Sequence, residues 1–137
     1  MYRLFIILLF LIGHFVCAQQ ETDKLIRKSI YFGGGSYYID ELQKDELRNF
    51  LSDFESFDNY EIVIFSHTDN IGGKEYNEWL SMMRSHAVVY ELIQHGIPDD
   101  IIEKKDFGQE NPLYTNQSWD GRLMNRRVDV ILVPLAF

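Results

Sequence analysis

S-H-T-D-N-I-G-G-K-E-Y-N-E-W-L-S-M-M-R, residues 66–84, joins two kinds of hydrophobic periodicity. Before it, Y-E-I-V-I-F at 60–65 is a β-branched and aromatic run of the kind that makes a largely buried strand. After it, no Pro or Gly interrupts residues 74–94, and Tyr76, Leu80, Met83 and Ala87 recur at the spacing of one helix face. Gly72 and Gly73 close a tight turn between the two. Thr68 and Asp69 therefore fall on a loop at the carboxyl end of a strand, a usual place for binding groups. On the helix, Asn77, Ser81 and Arg84 follow i, i+4, i+7 spacing and stack in a polar stripe beside the apolar one. The loop offers an anion and the helix a cation. Held on rigid elements, Asp69 and Arg84 could clamp a ligand that carries both an ammonium and a carboxylate, through charge-assisted hydrogen bonds.

On the amino-terminal side, K-S-I-Y-F at 28–32 reads as a first strand, followed by G-G-G-S at 33–36. A helix is predicted over 40–54, with Asp40 as its N-cap and Leu42, Leu47, Phe50, Leu51 and Phe54 on its apolar side. The triple glycine serves equally as a flexible connector or as a place where backbone approaches a ligand closely. On the carboxyl side, G-I-P at 96–98 stops the long helix, and residues 101–107 predict a third strand leading to Gly108. Residues 109–124 read as a long loop and 125–134 as a final strand rich in Val, Ile and Leu. The order β-α-β-α-β-β predicts an α/β (α+β) two-layer sandwich, a small mixed sheet with both helices on one face. A parallel pairing of the first two strands through a helix would be right-handed. Most of the tyrosines and phenylalanines are expected in the core.

Residues 1–18 carry one basic residue, Arg3, then an almost unbroken apolar run at 4–16 that is short for a bilayer span. Val16 and Ala18 suit the small-x-small rule for signal-peptide cleavage, which predicts a mature chain starting at Gln19. The rival reading lipidates Cys17, although His14 and Val16 stand where a lipobox wants a leucine-like and a small residue. An uncleaved anchor is the third. Residues 19–27 read as a short polar linker or a first helical turn, and 28–137 as one domain. Cleavage after Ala18 removes Arg3 and the only cysteine, leaving 12 basic residues of the chain's 13 against 21 acidic ones, a formal net charge of −9. So acidic a chain has no general attraction for nucleic acid or anionic lipid, and any anion must be met by local arginines. Roughly 120 residues bury an adequate core without disulfides.

The motifs come in order: His67-Thr68-Asp69, Gly72, Tyr76-Asn77, Leu80-Ser81, Arg84, Gly108, Pro112, Asn116, Gly121-Arg122 and Asn125-Arg126-Arg127-Val128. This series, within residues 29–133, resembles the C-terminal domain of OmpA, the peptidoglycan-binding domain also found in the Pal lipoprotein and the motor protein MotB. The resemblance implies a non-catalytic domain of the periplasm, associated with the outer membrane or cell wall, that binds the diaminopimelate of the peptidoglycan peptide stem. It implies that Asp69 receives the ligand's ammonium, that Arg84 and Arg126 take its carboxylate, and that Thr68 and Asn77 complete the hydrogen bonding. Ser81, Arg122, Asn125 and Arg127 are the supporting residues: Arg127 in a structural ion pair, Arg122 and Asn125 bracing the long loop. In the family the loop after the first strand often carries an acidic or amide residue facing the ligand, where this chain has glycines.

Plainer readings stand beside these. Asp69 could cap the turn that follows it. Arg84 could be a solvated helix arginine or the internal partner of Asp69, and Asn77 and Ser81 could be helix-to-loop hydrogen bonders. His67 fits packing with a satisfied hydrogen bond. A catalytic class would use His67 with Asp69 as metal ligands, or His67 with Ser81 as base and nucleophile. His86 and His95 fall outside the polar stripe, and Ser81 sits within a helix without a strained elbow, so no metal, cofactor or enzyme activity is expected. A third class is an envelope adaptor that docks protein partners with the same fold.

Overall fold

The chain is described here by a computed structural model of residues 26–136. In order it forms β1 (Ile26–Tyr31), α1 (Glu41–Ser52), β2 (Tyr60–Ser66), α2 (Lys74–Gln94), a 3-10 turn (Asp99–Ile101), β3 (Ile102–Asp106), α3 (Trp119–Asn125) and β4 (Arg127–Pro134). The expected leader and nearly all of the linker lie outside the described residues. The last two residues assigned to that linker, Ile26 and Arg27, are already strand.

The four strands form one sheet in the order β1-β4-β2-β3. β4 runs antiparallel to both β1 and β2, and β2 pairs with β3 in parallel. The register sets Ile30 opposite Val128, Ile64 opposite Val130, and Ile62 opposite Leu132 and Ile102. Opposed residues point to the same side, so these apolar residues make one face of the sheet. Leu47 and Leu51 of α1 and Val88 and Leu92 of α2 close over it. This is the expected two-layer α+β sandwich around a mixed sheet. The first two strands do not pair with each other, because β4 lies between β1 and β2. The cause is apolar content. β4 is buried at its first six positions, while β1 is mostly half-buried and β3 mostly exposed, and a strand buried on both faces belongs in the middle of a sheet.

Asp40 caps α1, its carboxylate accepting from the Gln43 amide at 2.8 Å. Leu42, expected on the apolar side, is instead 69% exposed. The inward residues of α2 are Asn77, Leu80, Ser81, Arg84, Ser85, Val88 and Leu92, so the stripe expected to lie beside the apolar face is the buried one in the first half of the helix. Tyr76 is exposed. Loops rather than strands face this half of the helix, and their buried carbonyls and amides need polar partners. The tyrosines depart from expectation too: Tyr31, Tyr37, Tyr38, Tyr76, Tyr90 and Tyr114 are exposed, while Phe32, Phe50, Phe54 and Phe57 belong to the core or pack on it.

The loop expected over 109–124 contains α3. Ser118 is its N-cap and accepts from the Gly121 amide at 3.0 Å. A glycine in the first turn lowers helix propensity and conceals the element in the sequence. Packing requires it, because a Cβ on Gly121 would stand 1.9 Å from the Thr115 carbonyl oxygen.

Candidate ligand pocket

A cavity of about 180 Å³ lies among the glycine loop after β1, the loop after β2 and the start of α2, lined by Gly34, Gly35, Asp69, Ile71, Gly72, Tyr76, Leu80, Arg84 and Arg126. Asp69 accepts from Arg126 Nε through Oδ2 at 2.7 Å and from the Ile71 amide through Oδ1 at 3.1 Å. The two charged side chains are only 8% and 7% exposed, so the pair sits in a medium where its attraction is strong and loss of either partner is costly. Arg126 also lies under the Trp119 ring, 5.2 Å from its centroid. The backbone at Gly34 runs beside that guanidinium, where an added Cβ would be in ordinary van der Waals contact with it at 3.5 Å. Gly72, at φ +100, meets Tyr76 so closely that a Cβ would stand 2.9 Å from the ring.

Arg84 is fully buried, and its role differs from that of a free clamp. It donates through Nε to the Ser36 carbonyl at 2.8 Å, through Nη1 to His67 at 3.0 Å and through Nη2 to Gly33 at 3.0 Å. One planar fork thus ties together the loop after β1 and the loop after β2, a task for which a guanidinium suits and an ammonium does not. Burial pulls its pKa down to about 10, opposed by the nearby Asp69 charge and assisted by Arg126. It stays cationic at neutral pH. Asp69 takes Arg126 rather than Arg84 as its hydrogen-bonded partner.

Of the five residues expected to meet a ligand, Asp69, Arg84 and Arg126 line this cavity, and Thr68 and Asn77 do not. Thr68 is buried, its amide donating to Gly108 and its hydroxyl to the Asp69 carbonyl at 2.8 Å. Asn77 donates to the Ile71 carbonyl at 3.2 Å and to Gln109 Oε1 at 2.8 Å, fastening the loop after β2 to the loop after β3. Ser81 donates to the Glu78 carbonyl and accepts from the Gly108 amide at 3.0 Å. Asn125 accepts from the Tyr114 amide and donates to the Tyr114 carbonyl and to Asn116, while Arg122 donates to the Asn116 carbonyl at 2.9 Å. Arg127, on the other face of the sheet, pairs with Asp129 at 3.0 Å, and Ser29 donates to the same carboxylate at 2.6 Å.

His67 is buried and stacks on Phe107 with ring centroids 5.1 Å apart. Its Nδ1 has no partner among the described residues, so the hydrogen bond expected of it is missing on that side, and Ser81 bonds to Glu78 and Gly108 rather than to His67. Burial lowers its pKa to about 4, helped by the Arg127 charge against that of Asp129. Among the described residues no group of three or more His, Cys, Asp and Glu could hold a metal ion. Sequence reasoning missed Tyr76, Ile71 and Trp119 around the pocket. Trp119 directly follows the N-cap of a helix that glycine conceals, and the spacing of Tyr76 places it on the apolar face of α2.

Residues 31–126 match the OmpA family. Over 74 residues the chain is 35% identical to YiaD, a probable lipoprotein of Escherichia coli, covering 54% of this chain and 34% of that protein. Over 112 residues it is 28% identical to the outer membrane protein Omp38 of Acinetobacter baumannii, covering 80% and 32%. The chain therefore spans about a third of the length of these curated relatives. Among solved structures, the peptidoglycan-associated lipoprotein of Burkholderia pseudomallei superposes with a TM-score of 0.71 at 28% identity, covering 77% of this chain and 90% of that one. The C-terminal domain of Helicobacter pylori MotB superposes at 0.68 with 21% identity, over 80% and 86%, a likeness of fold.

Proposed function

The chain belongs to the OmpA family, and from that premise we propose that it is a non-catalytic protein of the cell envelope that binds the peptide stem of peptidoglycan, reading its diaminopimelate residue. The observation that carries this reading is the buried Asp69–Arg126 pair at the cavity. A ligand with an ammonium and a neighbouring carboxylate can exchange with that pair, ammonium to Asp69 and carboxylate to Arg126, so that no buried charge is left alone. Arg84 adds positive potential behind Arg126 and holds both loops in place. The family match and the likeness to a peptidoglycan-associated lipoprotein support the polymer as ligand. The relatives that are outer membrane proteins support an envelope location, and export through a leader cleaved after Ala18 completes the reading.

The test compares sedimentation of the protein with diaminopimelate-type and lysine-type peptidoglycan. Lysine in the same stem position keeps the side-chain ammonium but lacks the adjoining carboxylate, which leaves Arg126 without an acceptor. Clearly better binding of the diaminopimelate type, competed by free diaminopimelate, is the expected result. Equal binding of both types would remove the specificity and favour an adaptor that docks envelope proteins.

A further inference from the structure

A second cavity, of about 270 Å³, opens between residues 37–39 and α2. Tyr37, Tyr38 and Tyr90 form its walls over Ala87 and the buried Ile39, together with Lys44 and Glu91, whose charged atoms lie 3.7 Å apart. Tyr38 and Tyr90 are 66% and 61% exposed, so their rings are surface rather than core. Tyr37 meets Trp79 edge-on at 6.0 Å, Trp79 lies against Tyr76 at 5.8 Å, and Tyr76 lines the Asp69 cavity. Aromatic surface is therefore continuous from one cavity to the other. Tyr76 and Tyr90 are separated by about 20 Å along the axis of α2, the reach of a short oligosaccharide rather than of one sugar.

The chemistry of this surface narrows its occupant. A groove for an amphipathic helix is lined by aliphatic residues and methionine. Here the rings are tyrosine and tryptophan, which present a negative π face and a polar edge. A pyranose matches both, with C–H groups on its face for the ring and hydroxyl or acetamido groups on its rim for a carboxylate and an ammonium. We propose that the cleft of Tyr37, Tyr38 and Tyr90 is a sugar subsite, taking the N-acetylated glycan of the same polymer whose peptide enters the Asp69 pocket. The proposal rests on the stem-peptide reading for the source of its glycan.

The experiment measures calorimetric affinity for a diaminopimelate stem peptide with and without its disaccharide, and retention on peptide-free glycan strands prepared with an amidase. The disaccharide is expected to tighten binding about tenfold. The double variant Tyr38→Ala/Tyr90→Ala should erase that gain and the retention on bare glycan while leaving the affinity for the peptide alone unchanged. Glu91→Gln, which keeps all the rings, should reduce the gain in part. Equal affinity for the two peptides together with no retention of bare glycan overturns the proposal. So does sedimentation of the protein as a dimer that the double variant turns into monomer, which would assign the cleft to a second copy. Loss of the peptide arm alone, with bare glycan still retained through the tyrosines, would overturn the stem-peptide reading and leave the sugar subsite standing.

Discussion

Arg84 shows how a residue can serve a proposed binding site through the backbone it holds. Its three carbonyl acceptors lie on two loops that share no other side-chain donor among the described residues. A lysine offers a single point charge in place of the fork, so Arg84→Lys leaves at least one buried carbonyl unpaired at about 1–3 kcal/mol each. Urea unfolding should show a loss on the order of 3 kcal/mol, and Arg84→Ala a larger one. A melting curve unchanged in Arg84→Ala would show that the bonds do not hold the loops. His67 carries a second prediction. Its folded pKa of about 4 lies below its unfolded value of about 6.5, so it is neutral in the native state and the unfolded chain gains the proton first. Its contribution is complete above pH 6.5 and is lost as the pH falls from there to 4, on the order of 3 kcal/mol in all. Chemical denaturation of His67→Gln across that window should show a flatter decline than wild type, and parallel curves would exclude the histidine as its source.

Elements in this chain are placed by a few contacts that leave little slack. α3 carries Trp119 over the Arg126 guanidinium, and Gly121 lets that helix seat against the Thr115 carbonyl. Gly121→Ala must push the helix away, at the roughly 1–3 kcal/mol typical of overpacking. The expected outcome is a melting temperature lower by several degrees together with weaker retention on peptidoglycan, because Trp119 moves off Arg126. Gly73 gives the contrast. It is the N-cap of α2, has an ordinary φ of −78°, makes no side-chain cap and has no atom within 4 Å of an added Cβ. Gly73→Ser should therefore be neutral or stabilising by a few tenths of a kcal/mol, with peptidoglycan retention intact. Destabilisation at Gly73 equal to that at Gly121 would mean that the packing difference between them has no energetic weight.

At the scale of the whole molecule the chain is acidic, with a formal net charge of −8, and the stem peptides of peptidoglycan carry carboxylates of their own. The long-range interaction is repulsive and screened by salt, whereas the pocket pair is buried and screened much less. Raising salt from about 20 to about 200 mM should therefore leave the affinity for a stem peptide unchanged or improved, while an interaction built on basic patches would fall by orders of magnitude. A steep loss with salt would place the ligand on exposed charges outside the pocket. The sequence by itself determined what is local: the β2-loop-α2 unit, the Asp40 cap, the stop at residues 96–98 and the ordered motifs of the family. These are legible because periodicity, capping and turn chemistry operate over a few residues. Only the tertiary structure decided that Asp69 pairs with Arg126, 57 residues away, and that Arg84 binds carbonyls instead. It also decided that β4 enters between β1 and β2, that the polar stripe of α2 turns inward and that most tyrosines turn outward. A helix pattern shows that two faces differ, but which face is buried, and which of several arginines reaches one carboxylate, depends on elements distant in sequence competing for the same space.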